Sequence, residues 1–321
     1  MLGFTRRAAI LATVALARPA LGQGAWPDRP LRILVPYSAG GVADTIMRTL
    51  QPKLAEHLGQ PVVVENRTGA SGSIAATAVA QAAPDGYTMM LEGATFATLP
   101  LVNRNLPVDY EAAFTPVAMA TTQPYFIAVR QAFPGEDFPA FLAEARRRPG
   151  EVTYGTPGVA HIGHFMGELI QSSADVRLEH VPYRGGADAS REVGAGRIDA
   201  AIISHSSLIP AIQAGRARLI GVTSAQRRPL APEVPALGEF LPGYDLTSWT
   251  GFFAPAATPR DIVMKLNGAV NTIVRNPEFN KRLAQLGADP VVESPEYFAN
   301  FLKAEIERWA PVVKASGAKP E

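Results

Sequence analysis

Residues Leu31–Asp44 read LRILVPYSAGGVAD, and the rest of the chain is organised around them. Ile33, Leu34 and Val35 form a short apolar run with a strand's β-branched bias, and Pro36 forbids further pairing inside a sheet. Ser38 and the Gly40-Gly41 pair follow, then an amphipathic segment from Val42 to about Leu58. The order is strand, glycine turn, helix. It leaves bare backbone N–H groups at a helix N-terminus, where they and the helix dipole attract an anion. Residues 62–81, VVVENRTGASGSIAATAVAQ, repeat the pattern with Gly69, Ser71, Gly72 and Ser73. These turns are expected to hold a small carboxylate on which no chemistry is done.

The N-terminus reads differently. Arg6 and Arg7 precede an apolar run from Ala8 to Ala17, and small residues follow around Ala20-Leu21-Gly22. That is the pattern of a secretory signal peptide, residues 1–24, with an apolar part too short to anchor in a membrane. Thr5-Arg6-Arg7 also fits the start of a twin-arginine signal, although paired arginines occur in ordinary leaders, so both export routes stay open. The chain has no cysteine, which excludes a lipid-modified N-terminal Cys, disulfides, thiolate metal sites and Cys nucleophiles. Removing the leader takes Arg6, Arg7 and Arg18 from 30 basic residues and none of the 29 acidic ones, leaving a net charge of −2. Nothing there points to nucleic acid or to an anionic membrane surface. About 300 residues exceed what one core serves, so two lobes are expected. No later apolar run approaches the ~20 residues of a membrane span. An exported, soluble protein is expected, located in the periplasm.

Pro84-Asp85-Gly86 turns into a third strand, Tyr87–Leu91, ending at Glu92-Gly93-Ala94-Thr95. Strands alternating with helices argue for βαβ crossovers and a largely parallel sheet, with ligand outside the strands' carboxyl ends. Val117–Ala120 and Tyr125–Val129 read as two extended pieces around Pro124. The crossing into a second lobe is placed there. That lobe repeats the rhythm: helix Phe138–Arg147, strand Val152–Gly155, a loop to His161, a helix from Ile162, strand Leu178–Val181, helix Asp188–Ala195, strand Ala200–Ile203 and strand Arg218–Val222. Ser248–Ala254 reads as a strand returning to lobe 1, and helices follow at Arg260–Arg275, Pro277–Gln285 and Pro295–Ala315. Lobe 1 is thus residues 25–123 and 249–321, and lobe 2 residues 124–248, joined by a two-strand hinge.

Several motifs then resemble one family. Pro36-Tyr37, Gly40-Gly41, Asp44, Pro61–Arg67, Gly69, Gly72-Ser73-Ile74 and Pro84–Thr88 are similar to the periplasmic receptors of tripartite tricarboxylate transporters, known in Bordetella as the uptake-gene receptors. So are His180–Gly185, Ala214-Gly215-Arg216, Arg218, Val222-Thr223-Ser224, Trp249 and Gly251. The match runs from Trp26 to the C-terminus in the family's order. The resemblance implies an α/β, type II periplasmic binding fold, two lobes with mainly parallel sheets closing on a carboxylate. It also implies docking to the large and small membrane subunits of a cation-coupled transporter. A monomer with no cofactor and no bound metal is expected.

The resemblance carries particular residues. Tyr37, Ser38, Gly40 and Gly41 match the family's first ligand loop; the plain alternative is a turn that needs positive φ. Asp44 also matches, either anchoring water or a ligand amino group, or serving only as an acid in a helix's first turn, worth ~0.3–1 kcal/mol there. Thr95 ends the third strand. Thr156, Gly158 and His164 match the second ligand loop, with His164 orienting the loop. The family has small residues through positions 160 and 161, whereas this chain has Ala160 and His161. His161 either enters the pocket as a donor or titrating group, or is a solvated loop residue. Ser204 and His205 end a strand and are expected to line the cleft. The family often has an acid where Ile203 stands, while Glu92 adds one at the third strand. His161, His164 and Glu168 have a spacing that invites a metal, but the first lies in a loop.

Two other classes compete. An α/β hydrolase would show G-x-S-x-G, and Gly69–Ser73 lacks the last glycine; there is no P-loop lysine or dinucleotide fingerprint, so no catalytic residue is expected. A periplasmic sensor of the same fold, feeding a signalling partner, is not separated from a transport receptor by any motif.

Overall fold

The computed structural model describes residues 26–318; the expected leader lies outside the described residues. The opening stretch forms β1 (Leu31–Val35), which stops at Pro36, and α1 (Val42–Leu58). Ile46, Met47, Leu50, Leu54 and Leu58 recur at helical spacing and are buried along α1. β2 (Val62–Asn66), α2 (Ser73–Ala80) and β3 (Thr88–Gly93) follow, with β2 and β3 both parallel to β1.

α3 (Thr95–Val102) has no counterpart in the sequence reading. Its residues, TFATLPLV, are apolar on every side and include Pro100, so no amphipathic period marks it. Burial of Phe96, Ala97 and Leu99 in the lobe decides its form.

The two extended pieces around Pro124 are one 17-residue strand, β4 (Phe114–Arg130). It is followed by α4 (Phe138–Arg147), β5 (Thr153–Thr156), α5 (Ile162–Ala174), β6 (Glu179–Pro182), α6 (Gly186–Gly194), β7 (Ala200–Ser204), α7 (His205–Gln213) and β8 (Ala217–Val222). β9 (Thr247–Pro255), α8 (Arg260–Val274), α9 (Pro277–Gln285), the short β10 (Asp289–Pro290) and α10 (Pro295–Ser316) close the chain.

β4 carries the change of sheet. From Phe114 to Pro124 it pairs antiparallel with β9; from Tyr125 it pairs with β7, and from Phe126 with β8. Its two prolines fall where the regular ladder is interrupted: Pro116 at a register shift, Pro124 where pairing passes from one sheet to the other. The strand order is β2-β1-β3-β9-β4-β7-β5-β6. Parallel pairing is confined to β1/β2, β1/β3, β5/β6 and β5/β7, so the sheets are mixed: strands linked by βαβ crossovers run parallel, and the two that pass between the lobes run antiparallel to their neighbours.

One core cluster crosses the hinge. Met90 of β3 and Phe253 of β9 join Tyr154 of β5, Phe165 of α5 and Ile202 of β7, with Phe298, Leu302 and Trp309 of α10 packed among them. Trp249 and Phe253 are fully buried at this junction, while Phe252 is buried in the separate core around β1, α1 and α8.

Candidate ligand-binding site

The carboxyl ends of β1, β5 and β7 open onto the cleft between the lobes, and each leads into a helix or glycine turn. Gly41 precedes α1 and Gly185 precedes α6 with no side chain capping either helix. These two starts meet across the cleft: a Cβ built on Gly41 would stand 3.9 Å from Gly186 N. Two uncapped helix N-termini pointed at one space concentrate N–H donors and positive dipole there. Ser204 caps α7 beside them, its Oγ accepting from Ser207 N–H at 3.4 Å and lying 3.0 Å from Ser207 Oγ.

The lobes are in contact. Ser38 N–H donates to Arg184 O at 3.3 Å, and Thr98 Oγ1 donates to Ala160 O at 2.6 Å. Between the lobes an inner cavity of about 10 Å³, room for about one water, is walled by Tyr37, Gly41, Tyr125, His161, Gly186 and Ser204 among others. No Lys or Arg lines it. An outer chamber of about 350 Å³ shares Tyr37 and Pro157 with it and extends to Ser71, Tyr183, Arg184 and Arg191.

His161 is a buried wall of the inner cavity. Its Nδ1 accepts from Gly163 N–H at 3.1 Å, capping α5, so the ring proton sits on Nε2 and is donated to Tyr125 Oη at 3.3 Å. Burial, with the neighbouring His164 ring adding to it, lowers the His161 pKa to about 3. It is therefore a neutral donor at physiological pH. The Tyr37 ring meets it edge-on, with centroids 5.6 Å apart.

Tyr37 Oη donates to Glu92 Oε1 at 2.7 Å, and Gly93 N–H donates to the same oxygen at 2.9 Å. Burial raises the Glu92 pKa to about 7 against these two hydrogen bonds. Thr95 Oγ1 and Ser38 Oγ are buried with no hydrogen-bond partner.

Other expected residues serve elsewhere. The Asp44 carboxylate accepts from Gly40 N–H at 2.9 Å, from Arg48 Nε at 2.9 Å and from Asn66 Nδ2 at 2.9 Å. It holds the first loop from behind, with Gly40 at a φ of +80°. Thr156 Oγ1 lies 2.7 Å from His180 Nε2 and donates to Gly158 O at 3.1 Å, bracing the second loop. His164 Nδ1 bonds Val159 O, and its ring stacks on His180 at 3.9 Å. Burial, with the His164 and His161 rings adding to it, lowers the His180 pKa to about 3. His205 packs against Phe126 and the turn at Gly287 and does not wall the inner cavity. Among the described residues, no group of three or more His, Asp or Glu is placed to hold a metal ion.

Tyr125, Gly186 and Ser207 wall the inner cavity and were not anticipated. Gly185-Gly186 before an amphipathic helix carries the same signal as Gly40-Gly41. Tyr125 carries none, because only the long crossing strand brings it there.

Two α/β lobes joined by crossing strands, with helix N-termini facing across the cleft, define the class of two-lobed periplasmic solute-binding proteins. The family model described as tripartite tricarboxylate transporter family receptor matches residues 46–318. The chain belongs to that family. It is 36% identical over 314 residues to a UPF0065 protein in the tcbD-tcbE intergenic region of a Pseudomonas species, covering 96% of this chain and 94% of that one. It is similar to the structure of R. palustris Rpa4515 with adipate, at a TM-score of 0.89 and 34% identity over 92% of this chain and 100% of that chain. MatC of Rhodopseudomonas palustris with bound malate superposes at a TM-score of 0.83 and 32% identity, over 89% and 99% of the two chains.

Proposed function

We propose that this chain is a non-enzymatic, extracytoplasmic receptor that closes its two lobes on a small carboxylate and delivers it to the large and small membrane subunits of a tripartite transporter. Residues 1–24 are removed on export to the periplasm; residues 25–123 with 249–321 form one lobe and 124–248 the other, in a monomer. The carrying observation is the pair of uncapped helix starts, Gly41 and Gly185-Gly186, facing each other over a cavity without basic side chains. Such a site suits an anion held by N–H groups. Tyr37, Gly41, His161, Ser204 and Ser207 are the contacts; Ser38, Gly40, Thr95, Thr156 and Gly158 shape the loops. Relatives solved with adipate and with malate support a dicarboxylate, with one carboxylate end at the inner cavity of about 10 Å³ and the remainder in the outer chamber of about 350 Å³.

The test is a thermal-shift screen of refolded, ligand-stripped mature protein against aliphatic, amino, aromatic and tricarboxylic acids. A ligand at ~100 times its dissociation constant adds about 2.7 kcal/mol, so one class should raise the midpoint by several degrees. A flat screen with refolding verified contradicts the reading. Deleting the gene separates transport from sensing: a receptor's loss abolishes uptake, a sensor's loss abolishes only induction.

A further inference from the structure

Glu92 is a buried acid without a cation. It lies near the end of β3, behind Tyr37, 3% exposed, and its hydrogen bonds come from Tyr37 Oη and Gly93 N–H, both to Oε1. Its Oε2 lies at the glycine turn into α2, where a Cβ on Gly72 would come within 3.1 Å of it. The titratable groups that feel its charge are phenols: Tyr37 from the first loop, Tyr110 from the segment before β4, and Tyr125 from β4. Burial raises the pKa of all three, so each stays a neutral O–H at physiological pH. Among the described residues no Lys, Arg or His forms an ion pair with Glu92. An uncompensated buried carboxylate is costly, and one placed beside an anion site is a poor structural choice.

Tyr37 links this acid to the ligand space, since it walls both the inner cavity and the outer chamber. While Glu92 is ionised, the Tyr37 proton is committed to it, and the phenol offers the cleft only lone pairs, which a carboxylate avoids. Once Glu92 is protonated, the bond can reverse.

We propose that Glu92 is a proton-binding specificity residue: in its protonated form it donates to Tyr37 Oη, releasing the Tyr37 O–H to donate to the bound carboxylate, so that ligand and one proton are captured together. The proton comes from solvent and resides on Glu92, and no other bond changes. This rests on the carboxylate-receptor reading. The elevated pKa, about 7, puts the linkage in the physiological range, and an incoming anion raises it further. A helix N-terminus supplies the generic attraction, and the Glu92–Tyr37 pair selects carboxylates in a pH-dependent way.

Titration calorimetry with adipate and malate, above about pH 6.5 so that the ligands stay ionised, tests this in two buffers of different ionisation heat. Wild-type affinity should fall nearly tenfold per pH unit above about 7, with close to one proton taken up per ligand at the alkaline end. Glu92→Gln, which has no proton to gain or lose, should bind with an affinity that does not change with pH and take up no proton. Tyr37→Phe should bind weakly and without the slope. Circular dichroism verifies folding of each variant. Wild-type affinity that is flat in pH, or a slope that persists in Glu92→Gln, overturns the proposal while leaving the receptor reading intact. If neither these acids nor any acid of the screening panel binds any form at any pH, the receptor reading fails and the proposal fails with it.

Discussion

Gly185 holds the lobes at their closest approach. A Cβ there would come within 2.9 Å of Ser38 N and overlap the Ser38 hydroxyl, so an added methyl group obstructs closure without touching either core. Its backbone is extended, at a φ of 171°, and alanine adopts that freely. Gly185→Ala should therefore leave the melting temperature nearly unchanged and weaken carboxylate binding at least tenfold, with a larger radius of gyration by small-angle scattering in the presence of ligand. Normal affinity in this variant contradicts the closure contact. Glu92 provides a second test that needs no ligand. Its folded pKa, about 7, lies above the ordinary value of 4.5, so the folded state binds more protons than the unfolded one between these limits. The contribution to stability is therefore fully present below about pH 4.5 and is lost as pH rises through about 7, by roughly 3 kcal/mol if the whole shift is realised. His161 and His180, with pKa values lowered to about 3 by burial, act in the opposite sense: they must take up protons on unfolding, so stability falls as pH drops below about 6.5. The two trends overlap, so the informative quantity is a difference. Stability of the wild type minus that of Glu92→Gln, from urea unfolding, should decline between pH 4.5 and 7; a constant difference rules out the buried, proton-binding acid.

At the scale of elements, α10 ties the lobes together. Glu305 Oε2 accepts from the Trp249 indole at 3.1 Å and from the Trp309 indole at 3.2 Å, and Arg308, which also donates to Asp245 O at 3.0 Å, approaches the other oxygen at 3.4 Å. Glu305→Ala leaves two buried indole N–H groups without acceptors and should cost about 2–5 kcal/mol in chemical denaturation, while Glu305→Gln, keeping an acceptor, should recover much of it. Equal losses in the two variants mean that packing, not the hydrogen bonds, holds this junction. The elements legible in the sequence are those with local punctuation. α1 runs from the Gly40-Gly41 turn to Gly59 in the left-handed region, α4 starts at the Asp137 cap, and α9 starts at Asn276-Pro277; all three keep their anticipated bounds. What was illegible depends on distant partners. α3 has no polar face to mark it, and β4 is a single strand only because β9, β7 and β8 pair with it on both sides of Pro124. The site divides the same way. Its glycine turns are visible as local chemistry, whereas Tyr125 and the Glu92–Tyr37 contact arise from strands 55 or more residues from their partners or from packing between lobes. Asp44 illustrates the limit: its position in a ligand loop is plain, but only the fold reveals three donors already bound to it.

For the whole molecule, the proposed function follows from where helices begin. Strands from both sheets end at one cleft, four of the helices that follow start there, and two of these have glycine as the N-cap with no side chain capping them. Under the proposed reading, closing the lobes brings those starts together and excludes water, which strengthens each N–H contact with an anion. No helix among the described residues is long and apolar enough to cross a membrane. The most direct measurement is a nitrogen-15 NMR titration of the ligand-stripped protein with the carboxylate that gives the largest thermal shift. The account predicts that the largest amide displacements fall on Val42, Ala43, Gly186, Ala187, Ser206 and Ser207, from both lobes at once, with smaller changes along β4 and β9. Displacements confined to one lobe, or centred away from these helix starts, would contradict capture of a carboxylate between facing N-termini.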